Sequence, residues 1–255
     1  PHAGAPTLAA LALAEIRRLE AVFSLYLPDS ALVRLNRDGQ LADPPFELLQ
    51  CLSLAGAVHK ASAGRFDPSV QPLWRAQARA TERGTALSPA ERAAALACVG
   101  WSGLSVTPEA IVLRPGMGLT LNGIAQGFIA DRVADLLARH GLTRALIDTG
   151  EMVALPEGAW PVRLPDRDLA LQGRALATSA PLGMTFGGDG QTSHIIDPVT
   201  GQPAPLLWRS VSISAPSAAL ADALSTAGCL MADRDAIHGL CRQFPGAKAE
   251  ALIAA

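Results

Sequence analysis

The chain has almost no aromatic surface: phenylalanine, tryptophan and tyrosine together make up 4% of its 255 residues. Its core must therefore come from aliphatic side chains and close backbone contacts, and stacking platforms are confined to a few positions. Neither charge is in excess. A formal net charge of −2 leaves no cationic surplus to neutralise a nucleic-acid backbone or dock on anionic lipid, so nucleic acid is not an expected partner. No run approaches the roughly 20 uninterrupted apolar residues of a spanning helix. The Ala/Leu-rich opening over 7–23 is broken by Glu15, Arg17, Arg18 and Glu20, so the chain is read as not itself membrane-spanning. Cys51, Cys98, Cys229 and Cys241 show no CxxC spacing and no neighbouring His pair, which disfavours zinc. They read as buried small hydrophobes, with a disulfide left open.

A composition of 49% hydrophobic and 17% charged residues can bury a real core, and the length suits one domain or two lobes sharing a cleft. Helical periodicity and end signals predict helices over 7–23, from Ser30 to Leu35, over 46–63, over 123–140 and over 217–232. The Ala/Arg/Glu-rich stretch 76–99, interrupted at Gly84 and restarted at Ser88-Pro89, reads as a peripheral helical insert within one domain spanning 1–255. Short apolar runs between turn residues predict strands at 104–106, 110–113, 119–121, 145–148, 161–164, 169–171, 175–178, 194–196 and 210–215, with a short helix and strand to finish. Strands in mid-chain hairpins with helices gathered at the ends predict an α+β fold with a mainly antiparallel sheet.

The helix from Ser217 carries Asp222 and Thr226 four residues apart on one face. Two oxygen donors at that spacing suit a hard cation that keeps waters and takes further ligands from phosphates, as magnesium does. On this pair alone, a solvated Asp and a Thr bonded back to its own helix explain the spacing better. Thr120-Leu121-Asn122-Gly123-Ile124-Ala125-Gln126-Gly127 leads through small residues into a helix start, where free N–H groups can face an anion. Its spacing is not the GxGxxG of a dinucleotide fold, and tight packing explains it equally well. His194 opens the segment ending Asp197-Pro198-Val199-Thr200-Gly201, and a histidine titrating near neutrality can deprotonate an attacking hydroxyl. A structural His bonded to a loop carbonyl is the commoner outcome. Asp148-Thr149-Gly150-Glu151 and Thr178-Ser179 place polar groups at strand ends, as ligand contacts or as turn chemistry.

Taken together and in order, these segments resemble the ApbE family of FAD:protein FMN transferases across nearly the whole chain. The resemblance runs through Phe23 to Tyr26, Asn36, Gly64 to Pro68, Trp74, Asn122 to Gly127, Ile147 to Glu151, Ala177 to Ser179, His194 to Gly201, and Asp222 with Thr226. The wording over 121–128 is similar to the NosX branch, tied to maturation of nitrous oxide reductase. The resemblance implies a flavin cleft in a two-lobed single domain and a magnesium ion held by Asp222, Thr226 and the backbone of Gly123. It implies FAD as substrate, with FMN passed to a threonine of an acceptor flavoprotein, a membrane-bound NosR-type protein among the candidates. His194, Asp222 and Thr226 carry the catalytic roles it implies, and Phe23, Asn36, Trp74, Thr120, Gln126, Asp148, Ser179, His194 and Ile195 the flavin contacts. A periplasmic location follows from the same resemblance, although this chain carries no signal segment. Two alternatives share the site: an FAD pyrophosphatase releasing FMN and AMP, and a flavin-binding assembly factor without turnover. Thr120 stands where the family has an acidic residue and Gln126 where it has Lys or Glu.

Overall fold

A computed structural model describes residues 5–187 and 190–255. The order is α1 Ala5–Phe23, α2 Ala31–Asp38, β1 Gln40–Ala42, α3 Phe46–Ala61, α4 Gln71–Glu82, α5 Pro89–Leu96, β2 Leu104–Val106, β3 Ala110–Leu113 and α6 Ala125–Arg139. There follow β4 Leu146–Asp148, β5 Met152–Ala154, β6 Trp160–Arg163, β7 Asp168–Leu171, β8 Ala175–Ser179, β9 Thr185–Phe186, β10 Thr192–Ser193, β11 Trp208–Ala215, α7 Ala218–Gly228, α8 Arg234–Arg242 and β12 Lys248–Ala254. The main sheet runs β12-β11-β8-β5-β4, antiparallel at every pairing. Helices cover this sheet, and β1-β3-β2, β6-β7 and β9-β10 form smaller sheets around it. This is the α+β arrangement expected from the strand spacing.

Capping residues set several helix ends. The Ser30 hydroxyl accepts from Val33 N–H at the start of α2, and Gly39 closes it at φ 72°. Ser88 and Glu91 form a reciprocal capping box on α5, while Ser217 accepts from Leu220 N–H to start α7. α7 is the centre of the molecule: it packs on β8 and β11 on one side and on α6 and α3 on the other. Its Ala-rich sequence allows this, because small side chains let neighbours approach from every direction, and ten of its residues are buried. Gly127 on α6 is essential to that approach. A Cβ there would lie 2.3 Å from the Ala218 carbonyl oxygen, so the two helices meet backbone to backbone.

The structure corrects several expectations. Residues 119–121 are extended but join no sheet: Asn36 Nδ2 donates to Leu119 O at 2.8 Å, and Leu119 N donates to Asn36 Oδ1 at 2.7 Å. A side-chain amide has taken the place of a partner strand there, and Thr120 N donates to Pro68 O at 2.8 Å. His194 follows β10 instead of starting a strand, and Ile196 makes only an isolated bridge to Pro203. α7 stops at Gly228, not at 232. Leu230 and Met231 tighten to i−3 bonds, and Trp208 Nε1 donates to Met231 O at 2.8 Å just past the helix end. Among the described residues all four cysteines are free, and burial pushes the Cys229 thiol up to about 12.

Candidate active site

The ends of β8 and α7, the Thr120–Gln126 segment, the loop around Arg65 to Val70 and the loop after β10 enclose a cleft of about 350 Å³. Asp222, Thr226, Gly123, Gln126, Thr120, Ser179, Trp74, His194 and Ile195 all line it, so the structure brings these widely separated sequence positions to one place. Glu151, Thr178, Asp67 and Arg65 join them.

The floor is built by α7. That helix has ten buried residues, and Asp222 is only 4% exposed. Among the described residues its carboxylate makes one hydrogen bond, a long one, Oδ2 accepting from Gly127 N at 3.4 Å. Glu151, 8% exposed, stands near enough for the Asp222 charge to act on it, and its buried Oε2 has no hydrogen-bond partner among the described residues. Neither carboxylate forms an ion pair among the described residues. Burial is the main force holding both pKa values well above the carboxylate range; the Asp222 charge raises Glu151 further, and the nearby Asp131 charge raises Asp222. Backbone N–H groups of Gly127 and Thr178 oppose these shifts without cancelling them.

Hydroxyls complete the floor, and their protons are ordered. Ser225 Oγ donates to the Asp222 carbonyl at 3.0 Å, which spends its one proton. At 2.7 Å it must then accept from Ser179 Oγ, and Ser179 in turn accepts from Thr226 Oγ1 at 3.3 Å. Thr226 is thereby left with lone pairs available to a cation. A Cβ on Gly123 would lie 2.9 Å from Thr226 Oγ1, so the absence of a side chain lets the main chain reach this hydroxyl. One carboxylate and one hydroxyl, with the Gly123 main chain alongside and a second carboxylate nearby, suit a hard divalent ion whose remaining ligands are water and phosphate. Among the described residues no three His, Cys, Asp or Glu cluster as a metal cage.

The rim is built on loops. His194 Nδ1 lies 2.8 Å from the Met184 carbonyl oxygen. A carbonyl can only accept, so Nδ1 carries the hydrogen; in the neutral form of the ring the lone pair lies on Nε2, which has no hydrogen-bond partner among the described residues. Trp74 packs against Phe186 with ring centroids 5.2 Å apart, giving the rim an aromatic wall. Ile195 is buried, with its N–H donating to Ser193 Oγ at 3.1 Å.

Three residues assigned flavin contacts by resemblance do not line the cleft. Phe23 is 4% exposed in the main core, edge-on to Phe128 at 5.3 Å. Asn36 spends its amide on Leu119, as described above. Asp148 is exposed at the end of β4, where it accepts from Gly150 N at 3.1 Å. Conversely, Glu151 and Arg65 line the cleft and Ser225 lies buried behind it, although the residue order assigned none of the three a site role. Glu151 did carry a signal, a second carboxylate in a sharp turn; the other two became visible only when distant segments met.

Comparison with known proteins agrees with this arrangement. Residues 3–250 match the model of the ApbE family. The FAD:protein FMN transferase of Treponema pallidum (strain Nichols) is 31% identical over 267 residues, covering 92% of this chain and 74% of that protein. The FAD:protein FMN transferase of Salmonella typhimurium is 29% identical over 229 residues, covering 80% of this chain and 65% of that one. The crystal structure of the ApbE protein from Thermotoga maritima superposes with a TM-score of 0.83 at 27% identity, covering 95% of this chain and 84% of its own. The apo form of the Pseudomonas stutzeri flavinyl transferase ApbE gives 0.82 at 24% identity over 93% of this chain and 81% of its own, a likeness of fold. A family match running almost end to end, over a cleft assembled from the same ordered segments, makes this chain a member of the ApbE family.

Proposed function

We propose that this chain is a magnesium-dependent FAD:protein FMN transferase. The observation that supports the reading is the floor: Asp222, Thr226 and Gly123 line one cleft beneath a rim whose histidine has no partner on Nε2 among the described residues. Asp222, Thr226 and the Gly123 carbonyl would hold the ion, which when bound neutralises the diphosphate of FAD. The chain's own residues do the rest. Ser225 and Ser179 keep the Thr226 proton turned aside, and Trp74 with Ile195 gives the flavin an apolar wall. His194 Nε2 takes the proton from the acceptor threonine as its oxygen attacks the phosphorus on the FMN side. The bond to the AMP oxygen breaks, AMP departs with the electron pair, and FMN remains attached through a phosphoester.

The acceptor proposed is a flavoprotein at the periplasmic face of the membrane, of NosR type, in nitrous oxide reductase maturation. The wording over 121–128 supports that choice. Among the described residues no helix is long and apolar enough to cross a membrane. Incubation with FAD, magnesium and a candidate acceptor, followed by mass measurement of the acceptor, tests the reading. An acceptor heavier by one FMN is the expected result. Free FMN with an unmodified acceptor would replace transfer by hydrolysis, and intact bound FAD would make the chain a carrier.

A further inference from the structure

Among the described residues that line the cleft, Arg65 is the sole lysine or arginine, facing a wall that also carries Asp67, Glu151 and Asp222. Arg65 Nη1 donates to Asp197 Oδ2 at 2.8 Å, joining the loop before α4 to the loop after β10. Asp197 is 7% exposed and is itself fixed, because its Oδ1 accepts from Val199 N at 2.9 Å. One corner of the guanidinium is thus anchored, while Nε and Nη2 have no partner among the described residues. A planar fork held by one nitrogen, with its other donors unspent, is pre-organised to grip a phosphate through two hydrogen bonds. Anchoring lowers the side-chain entropy lost when that grip forms.

We infer that Arg65, positioned by Asp197, is a catalytic residue that clamps the phosphate of the departing AMP. This rests on the transferase reading. The carboxylates of the floor hold no positive charge of their own, and the bond that breaks leaves one further negative charge on AMP. Among the described residues that line the cleft, Arg65 is the cationic side chain that can meet that charge directly. Its contribution therefore grows as the reaction proceeds, and it appears in kcat as well as in binding.

The test compares the wild type with Arg65→Ala, Arg65→Lys and the double variant Arg65→Ala/Asp197→Asn, which removes the carboxylate that the single alanine leaves unpaired. Binding of ADP and of riboflavin is measured in the presence of magnesium, together with kcat and KM for FMN transfer. Loss of charged hydrogen bonds predicts that both alanine variants weaken ADP by about tenfold or more. Riboflavin, which has no phosphate, binds as before, and lysine restores part of kcat but not all of it. Equal weakening of ADP and riboflavin would mean a structural role only and overturn the inference. Unchanged ADP binding and kcat in the double variant would overturn it as well. A wild type that binds ADP through Arg65 but transfers no FMN would sink the transferase reading instead, so the two failures are separable.

Discussion

The floor and the rim of the cleft are built by opposite means. The floor residues Asp222, Thr226 and Ser225 sit on a helix packed on all sides, whose start is fixed by Asp131 accepting from Ala218 and Ala219 N–H at 2.7 and 2.9 Å. The rim residues His194, Met184 and Arg65 sit on loops, with Met184 58% exposed and His194 oriented by one carbonyl. The packed side holds buried carboxylates, and the looped side holds groups that can move to meet a ligand or an acceptor segment. An ion site tolerates little displacement, whereas a surface that admits a protein segment must give way to it.

The comparison breaks first at Asp222. Asp222→Ala is expected to lower magnesium-dependent FAD cleavage by about a thousandfold or more, since it removes the charged ligand of the ion. The same variant melts no lower than the wild type at pH 8 without magnesium, because a buried charge lacking a partner has gone. Unchanged cleavage would remove the metal assignment. His194→Ala should slow transfer by about 100- to 1,000-fold while FAD binding, read by flavin fluorescence, changes little. Equal loss of both would make it a binding residue, and the division between floor and rim would fail.

Smaller effects sharpen the picture. Gly127→Ala forces a methyl against the Ala218 carbonyl and is expected to cost about 1–3 kcal/mol in denaturant unfolding, with magnesium affinity falling in parallel. Unaltered magnesium affinity in a folded Gly127→Ala protein would show that the α6–α7 contact does not set the floor. The smallest effect is one of pH. Burial raises Asp222 to about 7 and Glu151 to about 9, so the folded state holds protons that the unfolded chain releases near pH 4. Stability from these groups is complete below pH 4 and is lost as pH rises through the window up to about 9. Without magnesium the melting temperature should therefore fall from pH 5 to pH 9, and magnesium should recover it at the alkaline end. A Glu151→Gln protein should show a shallower fall; an identical slope would mean that Glu151 is not part of the pair.

Much of the local structure was legible in residue order. Ser30, Ser88 and Ser217 announced helix starts because a hydroxyl satisfies an orphan N–H wherever it stands. Residues 119–121 misled because alternation and apolarity describe an extended chain without saying what pairs with it, and Asn36 took that part from 83 positions away. The stretch 152–154 was not foreseen as a strand, yet a turn through Gly150 at φ 103° folds β5 back on β4.

The candidate site divides in the same way. By itself the sequence determined which chemistry was available: one helix bearing a carboxylate and a hydroxyl four residues apart, a histidine beside a turn, and a glycine at a helix entrance. Only the tertiary structure decided that these groups share one cleft, and that Phe23, Asn36 and Asp148 stand apart from it. It also decided that Glu151 and Arg65 belong inside. The reason is physical: i, i+4 spacing and caps are fixed by local backbone geometry, whereas burial, an unpaired charge and an anchored guanidinium exist only where separate segments exclude water together.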